Sequence, residues 1–170
     1  FFITALLYYT PQKEYLRFIA LGIFLLAIIS DAIDGYIART RRQKTEAGAL
    51  LDPLADKMLL ITAFVSLYII SNKYFPVKLP LWVMLTVISR DVILLLGGSI
   101  IILTNQKYRI SPTRTGKLST FFQMMTIACL LLKSPLSYFI WNIAMIFTVF
   151  SGFDYLRKGI VMFNLQPQKE

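Results

Sequence analysis

Long apolar runs separated by short polar breaks constrain the fold of this chain more than any other feature of its sequence. Spanning a bilayer takes about 20 mostly apolar residues, and five runs reach that length, near 16–39, 48–71, 79–104, 113–133 and 136–157. A shorter run, Phe1–Tyr9, is predicted to be the end of one more helix. With 56% hydrophobic residues, the sequence predicts an all-α, polytopic membrane protein with six transmembrane helices, the first truncated, in a single domain over 1–170.

Basic residues are distributed unequally between the polar breaks, although the whole chain carries a net charge of +9. When Phe1–Tyr9 is counted as the first run, eleven basic residues lie at or after the ends of the second, fourth and sixth runs. They are Arg39, Arg41, Arg42, Lys44, Lys107, Arg109, Arg114, Lys117, Arg157, Lys158 and Lys169. The opposite breaks hold Lys13, Arg17, Lys73, Lys78 and Lys133. The positive-inside rule therefore places the more basic breaks in the cytoplasm. Nucleic-acid binding is disfavoured, because these charges flank apolar runs and suit anionic lipid headgroups.

The cysteine and histidine content limits the chemistry. Cys129 is the only cysteine in these 170 residues, and histidine is absent. An intrachain disulfide, a cysteine-based metal site and histidine acid–base chemistry are therefore excluded. Any reaction must rest on Asp, Lys, Arg, Ser, Thr or Tyr side chains.

Four aspartates lie at the ends of two neighbouring apolar runs, where a carboxylate is costly and is by default a sign of function. Asp31 and Asp34 are spaced i, i+3, and Asp52 and Asp56 are spaced i, i+4, so each pair shares one helix face. If a short turn brings the two faces together, the carboxylates would repel one another unless cations lay between them. Such oxygen ligands suit Mg²⁺ or Mn²⁺.

The stretch from residue 31 to residue 56 resembles the signature of the CDP-alcohol phosphotransferase family of membrane enzymes. The family pattern D-x2-D-G-x2-A-R-x8-G-x3-D-x3-D has all its fixed positions filled, by Asp31, Asp34, Gly35, Ala38, Arg39, Gly48, Asp52 and Asp56. The resemblance implies transfer of a phosphatidyl group from CDP-diacylglycerol to an alcohol, with CMP as the leaving group. It also implies a homodimer.

The same resemblance implies roles for individual residues. The metal ligands for two divalent ions would be Asp31, Asp34, Asp52 and Asp56. Asp56 would also be the general base. The residues that match the family positions contacting the CDP moiety are Gly35, Ala38, Arg39 and Gly48.

A second group of basic residues is a candidate site for the phosphate of the acceptor or of a lipid. Arg114 and Lys117 are spaced i, i+3 at a predicted helix start, and Arg109 precedes them. Cations at that end oppose the helix dipole, which makes sense if an anion docks there. The alternative is a basic break that attracts lipid headgroups.

Three charged residues lie within apolar runs: Arg90 and Asp91 in the run 79–104, and Asp154 in the run 136–157. Arg90 is predicted to reach a substrate phosphate or the aspartates, with a structural interhelical pair as the alternative. Because adjacent helix residues do not face each other, Arg90 and Asp91 are expected to have different partners, with Asp91 neutralising Lys57. Asp154 is expected to pair along its own helix, with Arg157 or Lys158.

The acceptor alcohol is the least constrained part of the prediction. A basic pocket favours glycerol-3-phosphate, whereas the segment Ile88–Val92 looks more like cardiolipin synthases, which use phosphatidylglycerol. A divalent-cation transporter using the same acids is a remote alternative. Transporters usually show inverted repeats and broken helices, and neither is evident in this sequence.

Overall fold

The computed structural model describes residues 2–40, 46–103 and 114–164. Within these ranges it gives the backbone but not the side chains of 32, 34–40, 46–56, 98–103, 156 and 158–164. The described residues form helices and no strand: α1 (Phe2–Leu7), α2 (Glu14–Thr40), α3 (Glu46–Tyr74), α4 (Leu81–Leu103), α5 (Arg114–Leu131) and α6 (Ser137–Asn164). The all-α prediction is confirmed, and each long helix overlaps one of the five predicted runs.

The long helices differ in length, from 18 residues in α5 to 29 in α3. Over the described residues, none of the helices is both long enough and apolar enough to qualify as a membrane span.

Two compact units make up the chain. The first consists of Phe1–Pro80 with Ile127–Ser137, and the second of Leu81–Thr126 with Tyr138–Glu170. In the first unit α1 packs against both α2 and α3, and the buried core there includes Leu6, Phe24 and Phe64. The second unit contains α4, most of α5 and α6. The single domain over 1–170 stays a prediction.

Prolines and short polar side chains end α3 and lead into α4. Pro76 and Pro80 lie in the connection, where a continued helix would need the backbone donors that proline lacks. The buried Ser71 hydroxyl accepts a hydrogen bond from the backbone N–H of Leu79 at 3.1 Å. The Asn72 amide donates to the carbonyl of Leu79 at 3.0 Å. These contacts fold the connection back onto the end of α3.

The turn between α5 and α6 places a lysine in a backbone conformation that normally favours glycine. Lys133 has a φ of 54°. The N–H of Ser134 donates to the carbonyl of Cys129 at 3.0 Å, and the N–H of Lys133 donates to that of Leu130 at 2.9 Å. This is the hydrogen-bond pattern of a Schellman helix end. A side chain in the left-handed region costs about 1–2 kcal/mol, so the lysine side chain should contribute something in return.

That contribution is visible in a charged cluster of the first unit, formed by Tyr9, Glu14, Arg17 and Lys133 and called the Glu14 cluster below. The Lys133 ammonium and the Tyr9 hydroxyl, the latter at 3.0 Å, both donate to Oε1 of Glu14. Arg17 Nε lies 2.9 Å from Oε2 of Glu14, and its Nη1 donates to the carbonyl of Leu131 at 2.8 Å. Lys133 also lies over the rings of Tyr9 and Phe75. The cluster fastens the start of α2 to the end of α5.

Glu14 titrates below its usual range because of these partners. The hydrogen bond from Lys133 is the main cause that lowers the pKa of its carboxyl, with help from Tyr9 and Arg17 and against the opposing effect of partial burial. A carboxyl whose pKa falls on folding stabilises the folded state at pH values above its ordinary pKa. That stabilisation is lost as the pH drops through the lowered value.

The strained lysine gives a testable asymmetry between two substitutions. Lys133→Ala and Lys133→Gly lose the same ion pair and ring contacts, but only glycine relieves the left-handed backbone. We expect Lys133→Gly to unfold with a free energy about 1 kcal/mol above that of Lys133→Ala, measured by thermal or denaturant unfolding.

Lys73 in the last turn of α3 is the matched control, because its backbone is helical and alanine is favoured over glycine in a helix. The order of the two variants should therefore reverse at Lys73. An alanine variant at position 133 as stable as the glycine variant would contradict the role given to the backbone.

Candidate functional site

The acidic motif lies on two helices of the first unit. Asp31 and Asp34 belong to the last three turns of α2, and Asp52 and Asp56 to the first three turns of α3. The prediction that each pair lies on a helix, at i, i+3 and at i, i+4, is confirmed by the backbone. The Asp31 side chain is exposed. The side chains of the other three aspartates lie outside the described part, so their convergence stays a prediction.

Carboxylates in this number are a donor set suited to divalent cations, since Mg²⁺ and Mn²⁺ prefer oxygen ligands. No group of three or more acidic, cysteine or histidine side chains that could hold a metal ion occurs among the described residues, which include the Asp31 side chain but not those of its three partners. The fit of the motif to a metal therefore rests on the chemistry of its donors and on their helical spacing.

Pro53 lies inside α3, directly after Asp52 in the chain. Because proline has no N–H, the carbonyl of Ala49 lacks its usual helical donor. A backbone acceptor is thus left within one turn of Asp52, on the helix that carries half of the acidic motif.

The residues assigned by resemblance to the CDP moiety also fall on these two helices. Gly35, Ala38 and Arg39 belong to α2, and Gly48 belongs to α3. The side chains of Ala38 and Arg39 lie outside the described part, and Arg109 lies outside the described residues altogether. Their roles stay predictions.

The basic pair of the predicted phosphate site lies in the second unit. Arg114 is the first residue of α5 and Lys117 follows one turn later, and both side chains are exposed. The four N-terminal N–H groups of a helix have no partner within that helix and carry partial positive charge. The start of α5 is thus strongly electropositive, as expected for a position that receives an anion.

Arg90 and Asp91 form a buried ion pair with each other, which corrects the expectation that these neighbours would not interact. The expected neutralisation of Lys57 by Asp91 stays a prediction. Arg90 Nη1 lies 2.6 Å from Oδ1 of Asp91, and Arg90 Nη2 donates to the Ser151 hydroxyl of α6 at 2.9 Å. Asp91 is fully buried and Arg90 nearly so. Adjacent Cβ atoms do point apart, but the arginine side chain is long enough to fold back. Because both residues are buried, each charge needs a partner of opposite charge, since an uncompensated charge inside a protein is costly.

A row of polar side chains joins α5 to α6 within the second unit. The Thr115 hydroxyl donates to Oδ2 of Asp154 at 2.7 Å. Further along, the hydroxyls of Ser119 and Thr148 lie 2.8 Å apart, and the Gln123 amide donates to both, at 3.2 and 3.0 Å. We call this row the polar seam; its members are Thr115, Ser119 and Gln123 of α5 with Thr148, Ser151 and Asp154 of α6. Ser151 lies on the same face of α6 as the other two, and its described hydrogen bond comes from Arg90 of α4.

Sequence reasoning missed the polar seam. Its signal was present: the α5 members are spaced i, i+4, i+8 and the α6 members i, i+3, i+6, so each set lies on one helix face. Asp154 was expected to pair with Arg157 or Lys158, whereas its described hydrogen bond comes from Thr115. No ion pair between Asp154 and Arg157 occurs among the described contacts, and the Lys158 side chain lies outside them.

A mostly apolar cavity of about 330 Å³ lies beside the buried ion pair. Its walls come from α4 and α6 and include Leu85, Ile93 and Val149, with Arg90 and Ser89 at its polar side. Nε of Arg90 has no hydrogen-bond partner among the described residues. The described contacts of the guanidinium are thus made by its two Nη atoms, to Asp91 and to Ser151 of α6.

Known proteins are similar to this sequence over most of its length. The family model for CDP-alcohol phosphatidyltransferase covers residues 1–151. A probable phosphatidylglycerophosphate synthase of Mycobacterium tuberculosis is 32% identical over 165 residues, which span 94% of this chain and 74% of the relative. The CDP-diacylglycerol–glycerol-3-phosphate 3-phosphatidyltransferase of Haemophilus influenzae is 32% identical over 173 residues, 98% of this chain and 90% of the relative.

The CMP-forming cardiolipin synthase of Homo sapiens is also 32% identical, over 164 residues that span 83% of this chain but only 52% of the human protein. The relatives therefore include enzymes named for two different reactions. Since the family model covers far more than half of the sequence and includes the complete acidic motif, the chain belongs to the CDP-alcohol phosphatidyltransferase family.

Proposed function

We propose that this protein transfers a phosphatidyl group from CDP-diacylglycerol to a hydroxyl of a phosphate-bearing alcohol, with glycerol-3-phosphate as the first candidate, and releases CMP. The observation that carries the proposal is the complete acidic motif at the end of α2 and the start of α3. Membership of the family supports it, as do relatives named for this reaction. Family membership also favours transfer over cation transport, the remote alternative.

The reaction needs an acceptor oxygen that attacks the phosphatidyl phosphorus while the bond to CMP breaks and CMP leaves with its electron pair. Asp56 is proposed to take the proton of the acceptor hydroxyl, so that the oxygen attacks as a stronger nucleophile. Asp31, Asp34 and Asp52, together with Asp56, would hold two Mg²⁺ or Mn²⁺ ions. Divalent ions in such a site neutralise charge on the phosphate oxygens and on the leaving group.

The donor's CMP portion is proposed to lie against the glycines and the arginine of the motif. Gly35 and Gly48 have no Cβ, so a ligand can come close to the helix backbone. Arg39 can donate two parallel hydrogen bonds to one phosphate. Each assignment follows the family pattern and the position of these residues on α2 and α3.

The acceptor's phosphate is proposed to bind Arg114 and Lys117, with Arg109 as a further candidate. The exposure of both described side chains at the start of α5 supports this role. The contacts of Arg90 with Asp91 and Ser151 favour the structural alternative for that arginine. Its role as a phosphate ligand stays a prediction.

Phosphatidylglycerol is the second candidate acceptor, because it also carries a phosphate and a free hydroxyl and because a cardiolipin synthase is among the relatives. The decisive experiment measures CMP release by purified protein from CDP-diacylglycerol with each acceptor in turn. Release with glycerol-3-phosphate alone supports the first candidate, and release with phosphatidylglycerol alone supports the second. Cation flux into liposomes without CMP release would overturn the proposal that the protein is a transferase.

A membrane location is proposed as well. The proposed donor and the phosphatidyl product are lipids, and every long helix exposes large apolar side chains. Examples more than half exposed are Leu26, Ile69, Leu96, Phe121 and Phe150. Exposed apolar surface on this scale marks contact with lipid or with another protein. A homodimer is proposed on the family resemblance, and cross-linking in native membranes tests it.

Divalent metal dependence is the first expected outcome. Because the motif offers only carboxylates, chelation should abolish CMP release, and added Mg²⁺ or Mn²⁺ should restore it. Asp31→Asn should weaken metal binding, measured by Mn²⁺ titration, and should abolish turnover. Full turnover of the wild-type protein in excess chelator would contradict this assignment.

Asp56→Asn should separate chemistry from binding. The amide is nearly isosteric but cannot take the acceptor proton, so the rate should fall about 10²-fold or more. Binding of CDP-diacylglycerol should be retained better than in Asp31→Asn. Near-normal turnover would place the base elsewhere, and a loss of donor binding equal to that of Asp31→Asn would make Asp56 chiefly a metal ligand.

The more basic breaks are expected in the cytoplasm. A cysteine placed at Gln43, in a protein without Cys129, should resist a membrane-impermeant thiol reagent in intact cells and react after the cells are opened. A cysteine at Lys78, in an opposite break, is the control and should react in intact cells. Rapid labelling at position 43 in intact cells would refute this orientation.

A further inference from the structure

The first turn of α5 is held by a side chain of α6. The Thr115 hydroxyl donates to a carboxylate oxygen of Asp154 at 2.7 Å, across 39 residues of sequence. Both residues are only partly buried. A hydrogen bond to a charged acceptor is stronger than one between neutral groups. This contact therefore fixes the end of α5 that carries Arg114 and Lys117.

The second layer of the polar seam fixes the register of the same two helices. Ser119, Gln123 and Thr148 are fully or almost fully buried and bonded to one another. Thr148 also donates to the carbonyl of Ala144 at 2.7 Å. A shift of α5 by one turn along α6 would break the bonds between the two helices at once. The rotation of α5 about its axis is thus set by two layers, with Thr115 in the outer one.

Arg114 and Lys117 lie on the side of α5 away from the seam. With about 100° of rotation per residue, Lys117 lies about 180° and Arg114 about 120° from the mean direction of Thr115 and Ser119. Their exposure agrees with that placement. The orientation of the two cations therefore depends on how the seam face is held.

Asp154 also fits the electrostatics of this helix end. A carboxylate near a helix N-terminus is favourable, whereas cations in the first turn are unfavourable. The negative charge of Asp154 beside Thr115 offsets part of the cost of having Arg114 and Lys117 in the first turn of α5.

We propose that Thr115 and Asp154 are positioning residues for the acceptor: their hydrogen bond orients the start of α5 so that Arg114 and Lys117 bind the phosphate of the acceptor alcohol. This inference rests on the proposed function. Neither positioning residue touches the reacting atoms. Loss of the bond should therefore weaken acceptor binding and leave the chemical step and donor binding nearly unchanged.

The test compares substitutions in a CMP-release assay with glycerol-3-phosphate and, separately, with phosphatidylglycerol as acceptor. Thr115→Val and Asp154→Ala remove the bond and should raise the KM for the acceptor about tenfold, the factor that corresponds to roughly 1.4 kcal/mol. Their kcat and their KM for CDP-diacylglycerol should stay within about twofold of the wild type. The double variant should be no worse than either single one.

Two conservative variants separate positioning from other roles. Thr115→Ser keeps the hydroxyl and should have a KM close to that of the wild type. Asp154→Asn keeps an oxygen that accepts from Thr115 but loses the charge, so its KM should rise less than that of Asp154→Ala. If Asp154→Asn instead loses kcat as severely as a change at Asp56, then the Asp154 charge acts at the reacting atoms and the positioning role is overturned.

Thr120→Val is the matched control, because it makes the same chemical change on the same helix. The described hydrogen bond of Thr120 goes to the carbonyl of Gly116 within α5, at 3.2 Å. The KM of the Thr120→Val variant for the acceptor should equal that of the wild type. An equal rise in KM for Thr120→Val and Thr115→Val would reduce the effect to general loosening of α5 and would overturn the proposal.

The outcomes also separate this inference from the proposed function. An active wild-type protein whose acceptor KM is unaffected by Thr115→Val overturns the inference alone. A wild-type protein that releases no CMP with either acceptor overturns the proposed function and the inference with it. A KM effect with only one of the two acceptors would show which phosphate-bearing alcohol Arg114 and Lys117 bind.

Discussion

The cost of burying a charge without a partner is the constraint on which the packing of this chain depends. In a sequence that is 56% hydrophobic, apolar contacts alone do not specify which helix faces meet, because they have no direction. A buried ion pair does, since removing one partner typically costs about 3–5 kcal/mol. Arg90 satisfies this constraint through Asp91 and Ser151, and through Ser151 it joins α4 to α6. Arg17 does the same in the first unit, with Glu14 and the carbonyl of Leu131.

The polar seam extends the same logic from charges to hydroxyls and amides. Buried polar groups need hydrogen-bond partners, and Ser119 and Gln123 find one on a different helix, in Thr148. Each of these hydrogen bonds therefore satisfies a buried polar side chain of α5 only when α6 is in its observed position. The Glu14 cluster goes further, because it keeps Lys133 in a left-handed conformation at the end of α5. Polar groups, rather than the abundant apolar ones, define the register of these helices.

Sequence reasoning found the helices and the acidic motif but not these contacts, for a physical reason. Apolar periodicity and proline-containing breaks are local properties, and they placed all five long helices within a few residues of their observed bounds, except at the end of α6. The partners of Arg90 and Asp154 depend on side-chain reach and on which helices meet, and neither follows from spacing within one segment. Arg17 and Lys133 had been counted only as charges in polar breaks, whereas both are partners of Glu14.

This difference suggests how structural charges can be told from functional ones in this chain. Arg90 and Asp91 are buried and have defined partners, so their charges are used to hold helices together. Asp31, Arg114 and Lys117 are exposed near helix ends, where they are open to substrates or ions. An exposed charge is cheap to keep in water and costly to place beside apolar surroundings unless a ligand compensates it. Among the residues with predicted ligand roles, the structure describes the side chains of Asp31, Arg114 and Lys117, which are exposed. It also describes that of Arg90, which is buried in its ion pair.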